Sequence, residues 1–197
     1  MSLKGKVIAI TGRSLQSLDQ THRIRHPNLY HLNLTLPGAA SGIGLSLSHL
    51  LATEHCTLSL ADVNQSPLDE LAATLAKKGA KVMSTALDVS SSSAVDDWIS
   101  STVKAFGRLD GAANLAGIFR ASGSFMDSTN EEFESMMAVN FYGVVNCMRA
   151  QLRAMRENGG SGEEGRPGGS VVNASSVAGL KGAGRYASYV ASKVGLG

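Results

Sequence analysis

Two cysteines in 197 residues, Cys56 and Cys147, are too few for a disulfide framework and lack metal-ligand spacing. A formal net charge of +2 is too small to draw the chain onto nucleic acid or a membrane surface. No apolar run is long enough to cross a bilayer, and Met1 to Lys6 lacks the apolar stretch of a secretory signal. These absences exclude secreted disulfide scaffolds, structural zinc modules and membrane spans. They predict a cytoplasmic protein with no membrane or nucleic-acid partner. What remains is an ordinary globular balance, 43% hydrophobic and 17% charged, enough for one domain over residues 1–197.

The stretch Gly38-Ala39-Ala40-Ser41-Gly42-Ile43-Gly44 is a glycine-rich turn entering an amphipathic pattern through Leu45, Leu47, Leu50 and Leu51. Backbone N–H groups at a helix start, with no side chains in the way, suit a phosphate. Such a turn normally follows a strand directly. The nearest apolar run that reads as a buried parallel strand is Lys6 to Thr11, closed by Gly12. Residues 13–37 are then expected to be an irregular insertion. Removing residues 13–38 joins Thr11-Gly12 to Ala39 and leaves an unbroken turn sequence. His22, His26 and His31 fall in this segment, but their spacing matches no metal-ligand signature, so no metal site is expected.

Beyond Gly44, strands and helices alternate. Thr57 to Ala61 reads as a strand ending at Asp62, 18 residues after Gly44. A carboxylate there accepts hydrogen bonds from a ribose 2′-hydroxyl and repels a 2′-phosphate, which favours NAD over NADP. Ser66-Pro67 is expected to open the next helix, and Gly79 to close it. Val82 to Leu87 reads as a strand leading into Asp88-Val89, and Ser91 or Ser92 starts a helix that contains Trp98 as a packing residue and ends at Gly107. Asp110 to Gly117 carries the next strand and a small-residue turn. Thr129 and Glu132 fit a capping box at the start of a long helical region. Gly159 to Gly169 reads as a polar loop, and Ser170 to Ala174 as a fifth strand, followed by Ser175-Ser176. This alternation predicts an α/β fold: a doubly wound parallel sheet of Rossmann type in a single domain.

Tyr189 and Lys193 are four apart and therefore share a helix face. A cation beside a phenol stabilises phenolate and makes tyrosine a usable general acid/base. Ser176, at the end of the fifth strand, is placed to donate to a carbonyl oxygen beside that phenol.

Taken together these residues resemble the short-chain dehydrogenase/reductase family. The matching features are the glycine turn, Asp88-Val89, Asn114-Leu115-Ala116-Gly117, Asn140, Ser176, Tyr189 and Lys193. The resemblance implies an NAD(P)-dependent oxidoreductase acting on a secondary alcohol or ketone. The turn with Gly38, Ser41, Gly42 and Gly44 would hold the pyrophosphate, with Ile43 close to the cofactor and Gly12 also cofactor-binding; Asp62 would hold the ribose, and Asp88 and Val89 would lie by the adenine. Asn114, Ala116 and Gly117 would support the nicotinamide-side ribose. Tyr189 would exchange the proton, Lys193 would lower its pKa and hold the ribose, Ser176 would orient the carbonyl, and Asn140 would kink its helix and support a proton relay. The family fold continues beyond Gly197 with further strands and a substrate loop, and it usually forms homo-oligomers. The alternative reading is a catalytically inactive, truncated relative that acts only through cofactor binding or protein contacts.

Overall fold

The computed structural model describes residues 33–120, 124–158, 169–182 and 185–196. Among these residues five parallel strands, β1 (Asn33–Pro37), β2 (Thr57–Asp62), β3 (Val82–Ala86), β4 (Gly111–Asn114) and β5 (Ser170–Asn173), form one sheet in the order β3-β2-β1-β4-β5. Among the described residues six α-helices accompany them: α1 (Gly42–Thr53), α2 (Gln65–Lys77), α3 (Ser92–Phe106), α4 (Asn130–Met137), α5 (Gly143–Asn158) and α6 (Ala187–Val194). The expected doubly wound sheet is present. Its strand order reverses at β1, which pairs with β2 on one side and β4 on the other. A crevice at the carboxyl ends of strands flanking such a reversal is where open α/β sheets bind ligands.

The first strand differs from the sequence expectation. Lys6 to Thr11 and Gly12 lie outside the described residues, as do the three histidines and most of the Gly159 to Gly169 loop. The central position belongs instead to Asn33-Leu34-Thr35-Leu36-Pro37, within the segment expected to be irregular, and all five residues are buried. The phosphate turn is therefore not split, because Pro37 joins Gly38 directly. Leu34 and Leu36 point to one face, where they meet Leu58 and Leu60 of β2 and Leu68, Leu71 and Leu75 of α2. Alternation of this kind suits a strand. A terminal proline is compatible with the sheet because the β2 carbonyl of Ala61 accepts from the next two N–H groups, Gly38 at 2.8 Å and Ala39 at 3.0 Å.

The opposite face holds a second core built from α3 and α5, including Val95, Trp98, Ile99, Cys147, Ala150 and Met155. Trp98 packs here as expected, and its indole N–H is satisfied by Ser59 Oγ at 2.8 Å. Cys56 and Cys147 are buried thiols, and burial pushes their pKa values up to about 11 and about 12. Leu50 breaks the predicted α1 pattern and faces outward, 57% exposed. Helix α2 starts at Gln65, before the expected Ser66, with Asn64 at the N-cap. Asn64 turns early because its backbone and side-chain nitrogens both donate to Asp62. Pro67 still fits, since N–H groups in a first turn have no intrahelical acceptor. The capping box is present: Thr129 Oγ1 accepts from the Glu132 N–H and Glu132 accepts from the Thr129 N–H.

A buried amide network ties the sheet to α5. Gln151, fully buried, exchanges two hydrogen bonds with Asn114 at 2.8 and 3.1 Å and donates to Thr35 at 3.3 Å. Asn114 donates in turn to Asn173 at 2.8 Å, so one helix residue braces β1, β4 and β5. Gln151→Leu leaves buried polar groups short of partners and is expected to cost about 2–3 kcal/mol. The check is a lowered urea midpoint with an unchanged m-value. An unchanged midpoint would show that the three strands do not depend on this amide.

Candidate active site

The turn after β1 is shaped by glycine. Gly38 has φ +80°, and a Cβ there would lie 2.6 Å from the Ala116 nitrogen and 2.8 Å from its Cα. The loops after β1 and β4 thus touch backbone to backbone. A Cβ on Gly44 would run into the Gly38 carbonyl. Gly42, with φ +49°, has open space where its side chain would be. Ser41 is the N-cap of α1, and its side chain makes no capping hydrogen bond. The first turn of α1 therefore presents N–H groups with no internal acceptor, together with a free hydroxyl, at an open surface. Ile43 stands out from this turn, 63% exposed.

Asp62 closes β2 beside the turn. One carboxylate oxygen accepts from the Ala40 N–H at 3.1 Å and the other from Asn64. Sequence reading missed Asn64, whose signal was an asparagine two positions after a strand-ending acid. Asp88 is exposed and accepts from the Ser90 N–H at 2.9 Å. Val89, 6% exposed, reaches across to line a small gap with Pro37, Asn114, Ala116 and Gly143. The β3–α3 loop thus lies over the ends of β1 and β4. Asn114 is 2% exposed and its carboxamide is turned into the amide network, away from the surface. Beyond it, the Ala116 backbone lies against Gly38.

Helix α6 carries Tyr189 and Lys193 one turn apart, with Lys193 Nζ 5.9 Å from the centre of the Tyr189 ring. Lys193 is 5% exposed, and Nζ donates to the Ala174 carbonyl at 2.8 Å, just beyond β5. Burial lowers the Lys193 pKa from the ordinary lysine value. The cost of holding this cation in the fold is present below that lowered pKa and is relieved as pH rises towards the unfolded value. Two ammonium donors remain for other acceptors. A Cβ on Gly117 would lie 3.2 Å from Asn140 Oδ1 and 3.6 Å from Lys193 Nζ, so the loop after β4 lies directly on both residues.

Asn140 lies in a π turn, Ala138–Tyr142, between α4 and α5, where the helix was expected to kink. Its carboxamide is fully committed. Oδ1 accepts from the Ile118 N–H at 2.7 Å, while Nδ2 donates to the Ile118 carbonyl at 2.9 Å and to Ser192 Oγ at 3.0 Å. The loop after β4 is thereby clamped to the helix that carries Tyr189. Phe119 follows this clamp and meets the Tyr189 ring edge-on at 5.0 Å and the Tyr186 ring at 5.2 Å. Sequence reading did not single out Phe119 or Tyr186.

Ser176 caps the short turn Val177–Gly179. Its Oγ accepts from the Ala178 N–H at 3.1 Å, which leaves its own proton to donate. Neighbouring Ser175 donates to the Lys193 carbonyl at 3.0 Å, holding this turn against α6. Of the predicted residues, Gly38 to Gly44, Asp62, Ala116 and Gly117 lie at or just beyond the carboxyl ends of β1, β2 and β4. Tyr189 and Lys193 lie on α6, Asn140 donates to Ser192 of that helix, and Ser176 follows Ser175, which donates to the Lys193 carbonyl. Gly12 lies outside the described residues.

A family model described as short chain dehydrogenase matches residues 34–197. The short-chain dehydrogenase/reductase aba4 of Botryotinia fuckeliana is 40% identical over 167 residues, covering 83% of this chain and 61% of the relative. The chanoclavine-I dehydrogenase easD of Arthroderma benhamiae is 35% identical over 168 residues, covering 81% of this chain and 67% of the relative. Among solved structures, levodione reductase superposes with a TM-score of 0.76 at 33% identity, covering 84% of this chain and 62% of that one. An NAD+-bound xylitol dehydrogenase superposes with a TM-score of 0.78 at 29% identity, covering 86% and 62%. The chain spans about three fifths of the length of the first of these relatives.

Proposed function

Because the chain belongs to the short-chain dehydrogenase/reductase family, we propose that it takes part in the oxidation of a secondary alcohol, or the reduction of a ketone, with a nicotinamide dinucleotide. The observation that carries this reading is the Tyr189–Lys193 pair: a partly exposed phenol with a buried ammonium one turn away, anchored on Ala174 and pressed against Gly117. The dinucleotide, when bound, supplies or accepts the hydride.

The residues present fit that group. The open backbone at Gly42 and the uncapped start of α1 suit a pyrophosphate. Asp62, at the end of β2, suits a ribose diol. Tyr189 acts as general acid in reduction and as general base in oxidation, exchanging one proton between its phenolic oxygen and the substrate oxygen. Lys193 favours the phenolate by its charge, and its remaining donors suit a ribose hydroxyl. Ser176 donates its free proton to the substrate oxygen and holds that oxygen at the phenol. Asn140 acts through the backbone of Ile118, keeping the loop after β4 against α6.

The Asp62 carboxylate favours NAD over NADP, because a 2′-phosphate would place a second negative charge against it. Fluorescence titration of the whole chain is expected to show NADH bound at least about tenfold more tightly than NADPH, with Asp62→Ala narrowing the gap. A wild-type preference for NADPH would overturn the role of Asp62. The absence of binding to either would overturn the cofactor reading as a whole. No helix among the described residues is long and apolar enough to cross a membrane.

A further inference from the structure

The long helical unit α4–π turn–α5 sends amide side chains to more than one part of the crevice. Asn140 clamps the loop after β4, and Gln151 braces the strands. Between them, Asn146 reaches the loop after β3. Its Nδ2 donates to the Val89 carbonyl at 3.0 Å and to the Ser90 carbonyl at 3.3 Å. At the same contact, one helical turn earlier, Gly143 brings the helix so close that a Cβ there would lie 2.5 Å from Val89 Cγ2. The carbonyls of Val89 and Ser90 make no hydrogen bond within β3, which ends at Ala86. The loop's start is tied to β2, where the Leu87 N–H donates to the Asp62 carbonyl at 3.0 Å, while the Ser90 N–H to Asp88 Oδ1 and the Ser91 N–H to the Asp88 carbonyl shape the turn into α3. At its far end the loop is held to α5 by the Asn146 carboxamide, by the close approach of Val89 to Gly143, and by the core packing that Val89 shares with Cys147.

We propose that Asn146 is a positioning residue for the adenine half of the cofactor site: by holding the Val89 and Ser90 carbonyls to α5 it sets where the β3–α3 loop stands over the ends of β1 and β4. This rests on the cofactor reading above. It also implies a division of labour along one helical unit. Asn140 serves the end of the crevice that holds Tyr189 and Lys193, while Asn146 serves the end that holds Asp62 and Asp88. The π turn between α4 and α5 contains Asn140 and so helps set the rotation of one amide relative to the other. Replacement of Asn146 should then weaken recognition of one half of a dinucleotide and spare the other.

The test uses the whole chain and separates the halves by ligand. AMP, nicotinamide mononucleotide and NADH are titrated into the wild type, Asn146→Leu and Asn146→Asp. Asn146→Leu removes the donors while keeping the same branched skeleton of four side-chain heavy atoms. Asn146→Asp keeps the shape but places a carboxylate, which cannot donate, against two carbonyls. The expected result is a loss of about tenfold in affinity for AMP and NADH in both variants, with mononucleotide affinity within about twofold of wild type. Equal loss for AMP and mononucleotide would make Asn146 a general structural residue and overturn the proposal. Unchanged AMP affinity in either variant, provided it is folded by circular dichroism, would also overturn it. If Asn146→Leu does not fold, Asn146→Asp decides alone, and failure of both to fold assigns Asn146 to the fold and overturns the proposal. If the wild type binds NADH but the variants do not discriminate, only this inference fails. If the wild type binds neither NADH nor AMP, the cofactor reading fails with it.

Discussion

Tyr189→Phe is expected to lower carbonyl-dependent NADH oxidation by about 10³-fold while NADH affinity stays within about twofold of wild type. The substitution removes one oxygen and keeps the ring, so the edge-on contact with Phe119 survives. Lys193 also keeps its place, because its hydrogen bond runs to the Ala174 carbonyl and not to the phenol. Tyr189 is partly exposed, so the loss of its hydroxyl is expected to carry little stability penalty. Cofactor binding and fold are thereby separated from proton transfer. The measurement is single-turnover NADH oxidation with a panel of ketones, paired with NADH fluorescence titration. Turnover equal to wild type would remove Tyr189 from the chemistry. Loss of NADH binding with turnover would show instead that the phenol is a cofactor contact.

The second large effect is expected at Gly38. Gly38→Ala should destabilise the protein by about 3 kcal/mol and abolish measurable NADH binding. Two independent penalties meet there. The φ of +80° is a conformation that alanine adopts reluctantly, and the added Cβ would fall within 3 Å of three backbone atoms of Leu115 and Ala116. Backbone cannot rotate away as a flexible side chain can, so the loops after β1 and β4 must part. Those loops form the crevice, and Gly117, two residues after Leu115, touches both Asn140 and Lys193. The strain therefore reaches the Lys193 side of the candidate site as well as the turn before α1. Gly42→Ala is the comparison. It shares a positive φ but has nothing within 4 Å of the added Cβ, so most of its effect should fall on ligand binding and less on the fold. Urea unfolding and NADH titration of both variants measure the split. Gly38→Ala with wild-type stability would show that the two loops are not in backbone contact.

Much of the fold was legible because local rules and tertiary demands agreed. The strand at Thr57–Asp62, the Ser91 cap, the Gly107 stop and the Thr129–Glu132 capping box each carry their signal within a few residues. The first strand was not legible in this way. Lys6 to Thr11 is a continuous apolar run and looks like a buried strand, whereas Asn33-Leu34-Thr35-Leu36-Pro37 mixes two leucines with polar residues and ends in proline. Its polar members are buried for reasons found far away in the chain. Thr35 meets Gln151, and Asn33 is held by Asp110, which accepts from its N–H at 2.9 Å. No local pattern announces a partner 116 residues distant.

The candidate site divides along the same line. By itself the sequence determined the pairing of Tyr189 with Lys193, since helical periodicity alone puts residues four apart on one face. It likewise determined the acid closing β2 and the glycines, whose need shows in the absence of side chains. Only the tertiary structure decided which run of residues forms the central strand. It also decided that Asn114 turns inward, that Lys193 is held by the Ala174 carbonyl, and that Asn140, Asn146 and Gln151 brace separate parts of the crevice from one helical unit. The physical reason is that a side-chain amide carries no period and no propensity that names its partner. Its role appears only when folding brings an unsatisfied backbone or side-chain group within hydrogen-bonding distance.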